Sequence, residues 1–361
     1  MSLIIGIAGL PPERIVFAPS PLAELAAILH ALAEPAHHAD RHGRLTAIAA
    51  ALPPDLADRL IEAEFLWRST RADILLPNAP GDTLTEDLDT LDRLDDETFV
   101  HAALEITCSR EYSRRRPEPL SDSADRDRVR ALASARGPLQ SAFADRLLAD
   151  PPAVRAWLRR LLEDCEQAFF ADVWQQVRVR LAADARHKTQ LLARHGLAEA
   201  LTAVSPAVTL DAARSRIVVD KLQDAATSTT DGLTFLPTVF GRPHLIVVHA
   251  PGWRPVVHYP VATRGDEEPR ALSPETVGRR LDAVAHPVRM RLCRTLARGP
   301  HTTGELAFAY DLSAPEVSRH LAVLKKAGLL ATRRRGRYVL YELDLPVVAR
   351  LGTDFLESML R

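Results

Sequence analysis

Apolar residues recur every three or four positions through most of the first two hundred residues of this chain. That spacing lines one face of a helix, so it predicts a mostly helical N-terminal domain over residues 1–205. Ser20 and Pro21 predict the start of one helix, because serine caps helices and proline fits their first turn. Residues 1–19 predict one or two short strands. The helical segments are PLAELAAILHALA, PDLADRLIEAEFLWRS, DDETFVHAALEIT and AVRAWLRRLLEDCEQAFFADVWQQVRVRLAADARHKTQLLARHGL.

The pattern changes after Ser205. Residues 206–261 are rich in β-branched and aromatic residues and are interrupted by Gly and Pro, which predicts a small antiparallel β segment. Residues 262–276, ATRGDEEPRALSPET, have the composition of a linker. We therefore expect a mainly α protein with small β segments, in which a separate domain occupies residues 277–361.

Two short helices joined by a tight turn are predicted early in that last domain. Thr302-x-x-Glu305 and Ser313-x-x-Glu316 both match a capping box, in which the capping residue and the one three positions later exchange hydrogen bonds. Gly328 is expected to end the second helix. Such a pair is a helix-turn-helix, whose second helix can enter the major groove of DNA.

The second helix has two different faces when its residues are placed about 100° apart. Val317, Leu321 and Leu324 fall on one side and predict a buried stripe. The opposite side carries the small or cationic residues Pro315, Arg319, Ala322 and Lys326. An outer face of this kind suits insertion between two walls of phosphate.

LLATRRRGRYVLYEL, residues 329–343, predicts a β-hairpin, since its second arm alternates with a period of two. Gly336 supplies the turn, and the cationic residues of the tip are Arg333, Arg334, Arg335 and Arg337. A cationic tip beside an inserted helix can reach the DNA backbone or the minor groove.

Charge is unevenly divided along the chain, although the net charge is −1. Residues 279–343 hold 13 Lys and Arg against 5 Asp and Glu, a net of +8; the remaining residues hold 33 against 42, a net of −9. A basic module joined to an acidic body predicts a polyanionic partner. No apolar run is long enough for a membrane span, and three scattered cysteines favour a reducing cytoplasm.

Residues 285–343 resemble the winged helix-turn-helix of arsenic-resistance-type (ArsR) bacterial repressors. The resemblance rests on AHPVRMRLCRTL, TTGELA, LSAPEVSRHLAVLKKAGL and RRGRYVLYEL, in that order and spacing. It implies homodimers that bind palindromic operator DNA, usually as repressors. It also implies that Ser313, Pro315, Ser318, Arg319 and His320 lie where the recognition helix meets DNA, and that the arginine-rich tip is the wing.

This chain departs from the family at its metal sites. HTTGELAFAYDL lacks the cysteine motif of the metal sensors, and DLPVVARLGTDFLESML has no histidine, so metal sensing at those sites is not expected. His286 stands where the family often has Asp. RIVFAPSPLAELAAILHAL and FLPTVFGRPHLIVVHAPGWRPVVHYPV resemble a region that precedes winged helices in actinobacterial regulators, which supports a regulator without indicating a ligand.

DNA contacts are predicted for residues of the helix-turn-helix and its wing. Glu316 could accept a hydrogen bond from cytosine, although capping of its own helix is favoured. His320 fits a half-buried structural residue as well as a phosphate or base contact. The full set is Thr302, Thr303, Ser313, Pro315, Glu316, Ser318, Arg319, His320, Lys326, Arg333, Arg334, Arg335 and Arg337.

Other reactive residues have less specific patterns. EPAHHADRHG contains possible metal ligands, but their spacing is irregular and a solvated loop is favoured; they are His37, His38, Asp40 and His42. Cys293 is expected to be a small buried thiol and not a redox sensor. The last helix has an apolar face that either pairs two subunits or packs within its own chain, formed by Val348, Leu351, Phe355 and Met359.

The sequence therefore predicts a cytoplasmic, non-enzymatic regulator that binds double-stranded operator DNA as a homodimer, without a metal or cofactor. Helix 313–327 and wing 330–343 would make the contacts, and an unidentified small-molecule effector is compatible with this interpretation. The alternative is a ligand-binding or enzymatic body whose winged helix contacts another protein. GxSxG, P-loop and HExxH motifs, which would favour an enzyme, are absent from the sequence.

Overall fold

Helices form most of the N-terminal region in the computed structural model, as the apolar spacing predicts. The structure describes residues 2–68, 71–108, 117–221, 224–249, 253–261, 272–335 and 338–360, with the backbone alone for residues 36, 39, 40, 42, 335, 338 and 360. The chain divides into two units, Met1–Asp266 and Glu267–Leu360. The predicted domain boundaries after residues 205 and 261 remain predictions. No helix among the described residues is long and apolar enough to cross a membrane.

The N-terminal unit is built around helices that bury their apolar faces in one core. They are α1 (Pro21–Ala33), α2 (His42–Ala51), α3 (Pro54–Ala63), α4 (Leu84–Asp92), α5 (Asp96–Cys108), α6 (Ser123–Arg136), α7 (Pro138–Ala149), α8 (Pro151–Cys165), α9 (Ala171–His195) and α10 (Leu197–Val204). A short π-helical turn, Glu166–Phe170, joins α8 to α9.

Helix α1 is central to this unit. Ser20 Oγ accepts a hydrogen bond from the Ala23 amide at 3.0 Å, which confirms the predicted cap. The Asp87 carboxylate of α4 in turn accepts from the Ser20 hydroxyl at 2.8 Å. Residues 21–31 of α1 are all buried, as expected for a helix that is apolar on nearly every side.

Two sheets accompany the helices. Within the described residues their strand orders are β3-β4-β1-β5 and β2-β6-β8-β7. The strands are β1 (Ser2–Gly6), β2 (Ile15–Phe17), β3 (Val208–Asp211), β4 (Arg216–Asp220), β5 (Ala225–Ser228), β6 (Leu233–Thr238), β7 (Ile246–Val248) and β8 (Val256–Pro260).

The predicted antiparallel segment over 206–261 is wrong in two respects. The β1–β5, β2–β6 and β6–β8 pairs are parallel. In addition, the segment does not complete its sheets alone, because β1 lies between β4 and β5, with Ile4 opposite Val218 and Ala226. Parallel neighbours are not joined by tight turns, so the local turn signals in the sequence could not reveal these pairs.

The histidine-rich segment is not the predicted solvated loop. Pro35–Arg41 forms 3-10 turns whose backbone leaves helical geometry at His38 (φ −127°, ψ 48°). This change of direction places the His38 side chain in the interior, where it has 0% exposure. His37 is half-buried, and the side chains of Asp40 and His42 lie outside the described residues.

The C-terminal unit is a winged helix-turn-helix, which confirms the predicted fold class. Its elements are α11 (Pro274–Val284), α12 (Pro287–Leu296), α13 (Thr303–Tyr310), α14 (Ala314–Lys326), β9 (Leu330–Arg335), β10 (Tyr338–Leu343), α15 (Leu345–Ala349) and α16 (Leu351–Leu360). Helix α11 begins inside the predicted linker, because Ser273 caps it; residues 262–271 of that linker lie outside the described residues.

A small leucine-rich core holds this unit together. Leu292 and Leu296 of α12 and Leu306 of α13 have 0% exposure, and the predicted stripe of α14 packs against them. Cys293 is also buried, as predicted, and burial raises the pKa of its thiol. A protonated thiol in this position is a packing residue.

We predict that Val317→Ala destabilises α14 whereas Val323→Ala does not. The first change removes two buried methyl groups at about 0.8 kcal/mol each and leaves a cavity, a loss of about 2 kcal/mol. Val323 is 42% exposed, so its truncation should change stability by less than about 0.5 kcal/mol. Hydrogen–deuterium exchange of α14 amides in the full chain measures both. Equal effects would contradict the assignment of the buried face.

Candidate nucleic-acid interface

Helix α14 begins at a turn whose geometry the sequence sets locally. Asp311 takes a left-handed conformation (φ 53°), which ends α13 and reverses the chain. Ser313 Oγ accepts from the Glu316 amide at 3.3 Å, and Pro315 lies in the first turn of the helix. Ser313 and Pro315 are exposed, so the start of α14 is open to solvent.

The two predicted capping boxes differ in the structure. At α13 the box is complete, because Thr302 Oγ1 accepts from the Glu305 amide at 3.2 Å and the Thr302 amide donates to Glu305 Oε2 at 2.7 Å. At α14 only the bond from the Glu316 amide to Ser313 forms. The prediction of a second full box is therefore wrong, and the capping role favoured for the Glu316 carboxylate loses its support.

The two faces of α14 divide as the helical geometry predicts. Val317, Leu321 and Leu324 have at most 1% exposure and form the inner face. The predicted DNA-contact residues of this helix that are exposed are Ser313, Pro315, Ser318, Arg319 and Lys326. Glu316 and His320 are half-buried. Thr302 and Thr303, at the start of α13, are half-buried too. A row of small and cationic side chains is therefore left in solvent.

His320 lies at the edge of this row. Its ring packs against His286 with a centroid separation of 4.9 Å. Burial, together with the charges of His286 and Arg289, lowers the pKa of His320. The Nδ1 atom of His286 accepts from the Val288 amide at 3.2 Å and so caps α12. His286 thus fills the capping position in which the ArsR resemblance leads us to expect Asp.

The wing is an antiparallel hairpin in which Arg334 lies opposite Val339 and Arg333 opposite Leu340. The side chains of Arg333 and Arg334 are exposed. Arg335 is described by its backbone alone, and Gly336 and Arg337 lie outside the described residues. His301 forms an isolated antiparallel bridge to β10, since it exchanges backbone hydrogen bonds with Tyr341 at 2.9 and 2.8 Å.

Helix α14 passes into the wing through a left-handed glycine, as the sequence predicts. Gly328 has φ +71°, its amide donates to Lys325, and the next amide, that of Leu329, reaches back to Leu324 at 3.0 Å. This arrangement satisfies carbonyl groups at the end of the helix and starts β9 one residue later.

A buried ion pair that sequence reasoning missed supports the same end of α14. Arg280 of α11 donates from Nη1 to Asp354 at 3.0 Å and from Nε to the Ala327 carbonyl at 3.3 Å. The Arg280 and Asp354 side chains are 12% and 6% exposed. Their separation of 74 residues explains why no local pattern indicated the pair.

The two units match two different protein families. Residues 1–265 match a family of unknown function, DUF5937, and residues 284–333 match a helix-turn-helix domain family. The chain belongs to the DUF5937 family. The helix-turn-helix match lies outside the DUF5937 region and coincides with α12, α13, α14 and the first strand of the wing.

Named relatives match the C-terminal unit of this DUF5937 protein. A biofilm growth-associated repressor of Agrobacterium fabrum is 41% identical over 71 residues, which is 20% of this chain and 61% of that protein, less than two thirds of its length. A biofilm growth-associated repressor of Xylella fastidiosa is 36% identical over 92 residues, which is 26% of this chain and 78% of that protein. The homodimeric winged helix-turn-helix DNA-binding domain of Mycobacterium bovis Mb0332, solved by NMR, is 30% identical with a TM-score of 0.21 and covers 22% of this chain and 73% of that one.

The C-terminal unit is thus a winged helix-turn-helix domain of the transcriptional-regulator type. The sequence matches confirm the ArsR-type resemblance over this unit. The predicted likeness of the DUF5937 region to actinobacterial regulators remains a prediction.

We predict opposite effects for two glycine-to-alanine changes in the C-terminal unit. Gly328→Ala should destabilise it by about 1–2 kcal/mol, because an L-residue is strained in the left-handed region. The added Cβ would meet Arg280 at 3.8 Å, an ordinary contact, so the backbone alone causes the loss. Gly278→Ala, in α11 with nothing within 4 Å, should stabilise by about 0.5–1 kcal/mol. Hydrogen–deuterium exchange measures both, and a neutral Gly328→Ala would contradict the turn geometry.

Proposed function

We propose that this protein is a sequence-specific transcriptional repressor that binds operator DNA as a homodimer. Helix α14 would enter the major groove, and the wing would contact the adjacent backbone or minor groove. The observation that carries the proposal is the split of α14 into a buried leucine-rich face and an exposed face of small and cationic residues. A helix that packed against protein on its outer side would be expected to expose large apolar residues there.

The proposed contacts separate into base readers and phosphate binders. Arg319 is exposed at the centre of the outer face, where a guanidinium can bond to two acceptors of guanine. Glu316 can accept from cytosine, since its carboxylate does not close a capping box. The wing arginines and Lys326 suit phosphates. The proposed set is Thr302, Thr303, Ser313, Pro315, Glu316, Ser318, Arg319, His320, Lys326, Arg333, Arg334, Arg335 and Arg337.

Electrostatics supports the choice of partner. The net charge of +8 over residues 279–343 lies on one unit of a chain whose total charge is −1. Duplex DNA carries dense negative charge, and cations that neutralise its phosphates release bound counterions. Binding would therefore weaken steeply as salt rises, whereas docking to a neutral protein surface would not.

The dimer would form through the last helix. On α16, Asp354, Glu357 and Ser358 are buried within the chain. The apolar side chains Phe355, Leu356 and Met359 remain 39%, 50% and 41% exposed. Of the two roles left open for this helix, pairing of subunits is favoured, because exposed aromatic and aliphatic groups gain most from burial against a second copy.

The remaining parts of the proposal concern the whole chain. A DNA-binding repressor would act in the cytoplasm and needs no catalytic centre. The DUF5937 unit would respond to a small-molecule effector.

We predict that Arg319→Ala lowers affinity for the preferred operator, selected from random duplexes, by about 1–3 kcal/mol and blurs sequence preference. Arg334→Ala should weaken all duplexes alike and reduce the slope of log affinity against log salt by about 1. Fluorescence anisotropy at several salt concentrations measures both effects.

Arg294→Ala provides the control, because it removes the same charge from an exposed position on α12, outside the proposed surface. Operator binding unaffected by the Arg319 and Arg334 changes would refute the proposed interface. A chain with no sequence preference and no steep salt dependence would support the protein-docking alternative.

We predict that Phe355→Glu weakens dimerisation by on the order of 100-fold, because it would place an unpaired carboxylate in the interface. Leu345→Glu, at another exposed apolar position of the same unit, serves as the control. Sedimentation velocity of the full chain measures the association. An unchanged dimer would remove α16 from the interface without affecting the proposal of DNA binding.

A further inference from the structure

Three imidazoles meet in the interior of the DUF5937 unit. His30 lies on α1, His38 at the bend of Pro35–Arg41, and His244 between β6 and β7. One nitrogen from each ring lies within 4.8 Å of the other two. The three residues are 1%, 0% and 8% exposed. Three nitrogen donors converging on one buried point is a typical arrangement of a transition-metal site.

The orientation of His30 directs the lone pair of one ring nitrogen at this point. Its Nδ1 atom lies 2.9 Å from the Trp67 carbonyl. A carbonyl can only accept, so Nδ1 carries the proton and Nε2 carries the lone pair. Metal-bound histidines are commonly held in this way, with the second nitrogen bonded to a carbonyl or carboxylate. Nε2 of His30 therefore accepts a hydrogen bond from Nε2–H of His244 at 2.9 Å, and a metal ion would displace the proton that this bond holds between the two rings.

His38 has no role in the hydrogen bonding of the described residues. Both of its ring nitrogens are buried, and neither has a partner at normal hydrogen-bond distance and angle among the described residues; the Arg242 backbone acts on the ring only weakly, opposing part of the fall in its pKa. An unsatisfied buried polar group costs about 1–3 kcal/mol. A residue kept for packing alone would be better replaced by leucine, so the imidazole suggests a ligand.

We propose that His30, His38 and His244 bind a divalent transition-metal ion of the zinc type. In a tetrahedral site with bonds of about 2.0–2.1 Å, nitrogen ligands lie roughly 3.4 Å apart. The present separations, from 2.9 Å to no more than 4.8 Å, reach that value by small side-chain rotations. Imidazole suits zinc, copper, nickel and iron, and excludes calcium and magnesium as natural occupants.

The charge around the cluster favours an anionic fourth ligand. Arg71 is 1% exposed, and its guanidinium nitrogens have no hydrogen-bond partner among the described residues. Its charge acts on His30, His38 and His258. A dication beside a buried guanidinium would be repelled unless an anion lay between them, so hydroxide or a small carboxylate would complete the coordination.

The metal site lies in the DUF5937 unit, and metal binding there is independent of the proposed repressor function. The sequence predicted a solvated loop for the histidine-rich segment and no metal ion. The local spacing of His37 and His38 could not indicate a site whose third ligand is 214 residues from the first.

His38→Leu separates a metal ligand from a packing residue. The change breaks no hydrogen bond among the described residues, so the metal-free variant should melt at least as high as the metal-free parent chain. Zinc should raise the melting temperature of the parent and not that of the variant. Calorimetric titration with zinc alone should give one site per chain in the parent and a loss of on the order of 100-fold or more in the variant.

Cobalt(II) provides a spectroscopic readout of the same site. The parent should show the intense visible absorption of four-coordinate cobalt, and His38→Leu should not. His187→Leu, an exposed histidine of α9, is the matched control and should behave as the parent does. Zinc binding of equal affinity in the parent and in His38→Leu, or no binding by the parent, would overturn the proposal. His244→Ala provides a second test, since it should also abolish the cobalt spectrum.

Discussion

Burial of Val317, Leu321 and Leu324 is the constraint on which the C-terminal unit depends. These side chains fix the rotation of α14 about its axis, because exposing any of them to water would cost about 1.5–3 kcal/mol. With the rotation fixed, the outward direction of Ser318 and Arg319 follows from helical geometry alone. The cationic surface is therefore a consequence of a leucine-rich interior.

The sequence predicted the features that short-range rules determine. The cap at Ser20, the complete box at Thr302 and the glycine end of α14 each involve residues no more than five positions apart. Features that depend on distant partners were missed or wrong: the parallel pairs of β1 and β6, the Arg280–Asp354 ion pair and the histidine cluster. Glu316 shows a further limit, because a matching motif formed only half of its bonds. Sequence spacing specifies which bonds are possible within one turn, whereas tertiary packing decides which of them form.

The two units differ in where their charged and polar side chains lie. In the C-terminal unit most charges are at the surface, and the interior is mainly apolar; its buried polar groups, among the described residues, include the Arg280–Asp354 pair, Glu357 and Ser358. In the N-terminal unit several ionisable groups are buried, among them Glu24, whose pKa burial raises to about 7. Its carboxylate accepts from the Val239 and Phe240 amides at 3.0 and 3.2 Å. Buried ionisable groups are costly and concentrate at functional sites, so the interior of the DUF5937 unit has a typical feature of a functional site.

The turn at Gly328 has a mechanical consequence. The Leu329 amide is bonded to Leu324 of the helix, and the Leu329 carbonyl accepts from the Asp344 amide just beyond the hairpin. Leu329 is therefore hydrogen-bonded both to the last turn of α14 and to the segment that follows β10, so the wing cannot turn relative to the helix without breaking one of these bonds. In the proposed dimer, a regulatory signal would then act on the separation or tilt between the two helix–wing pairs and not on either wing alone.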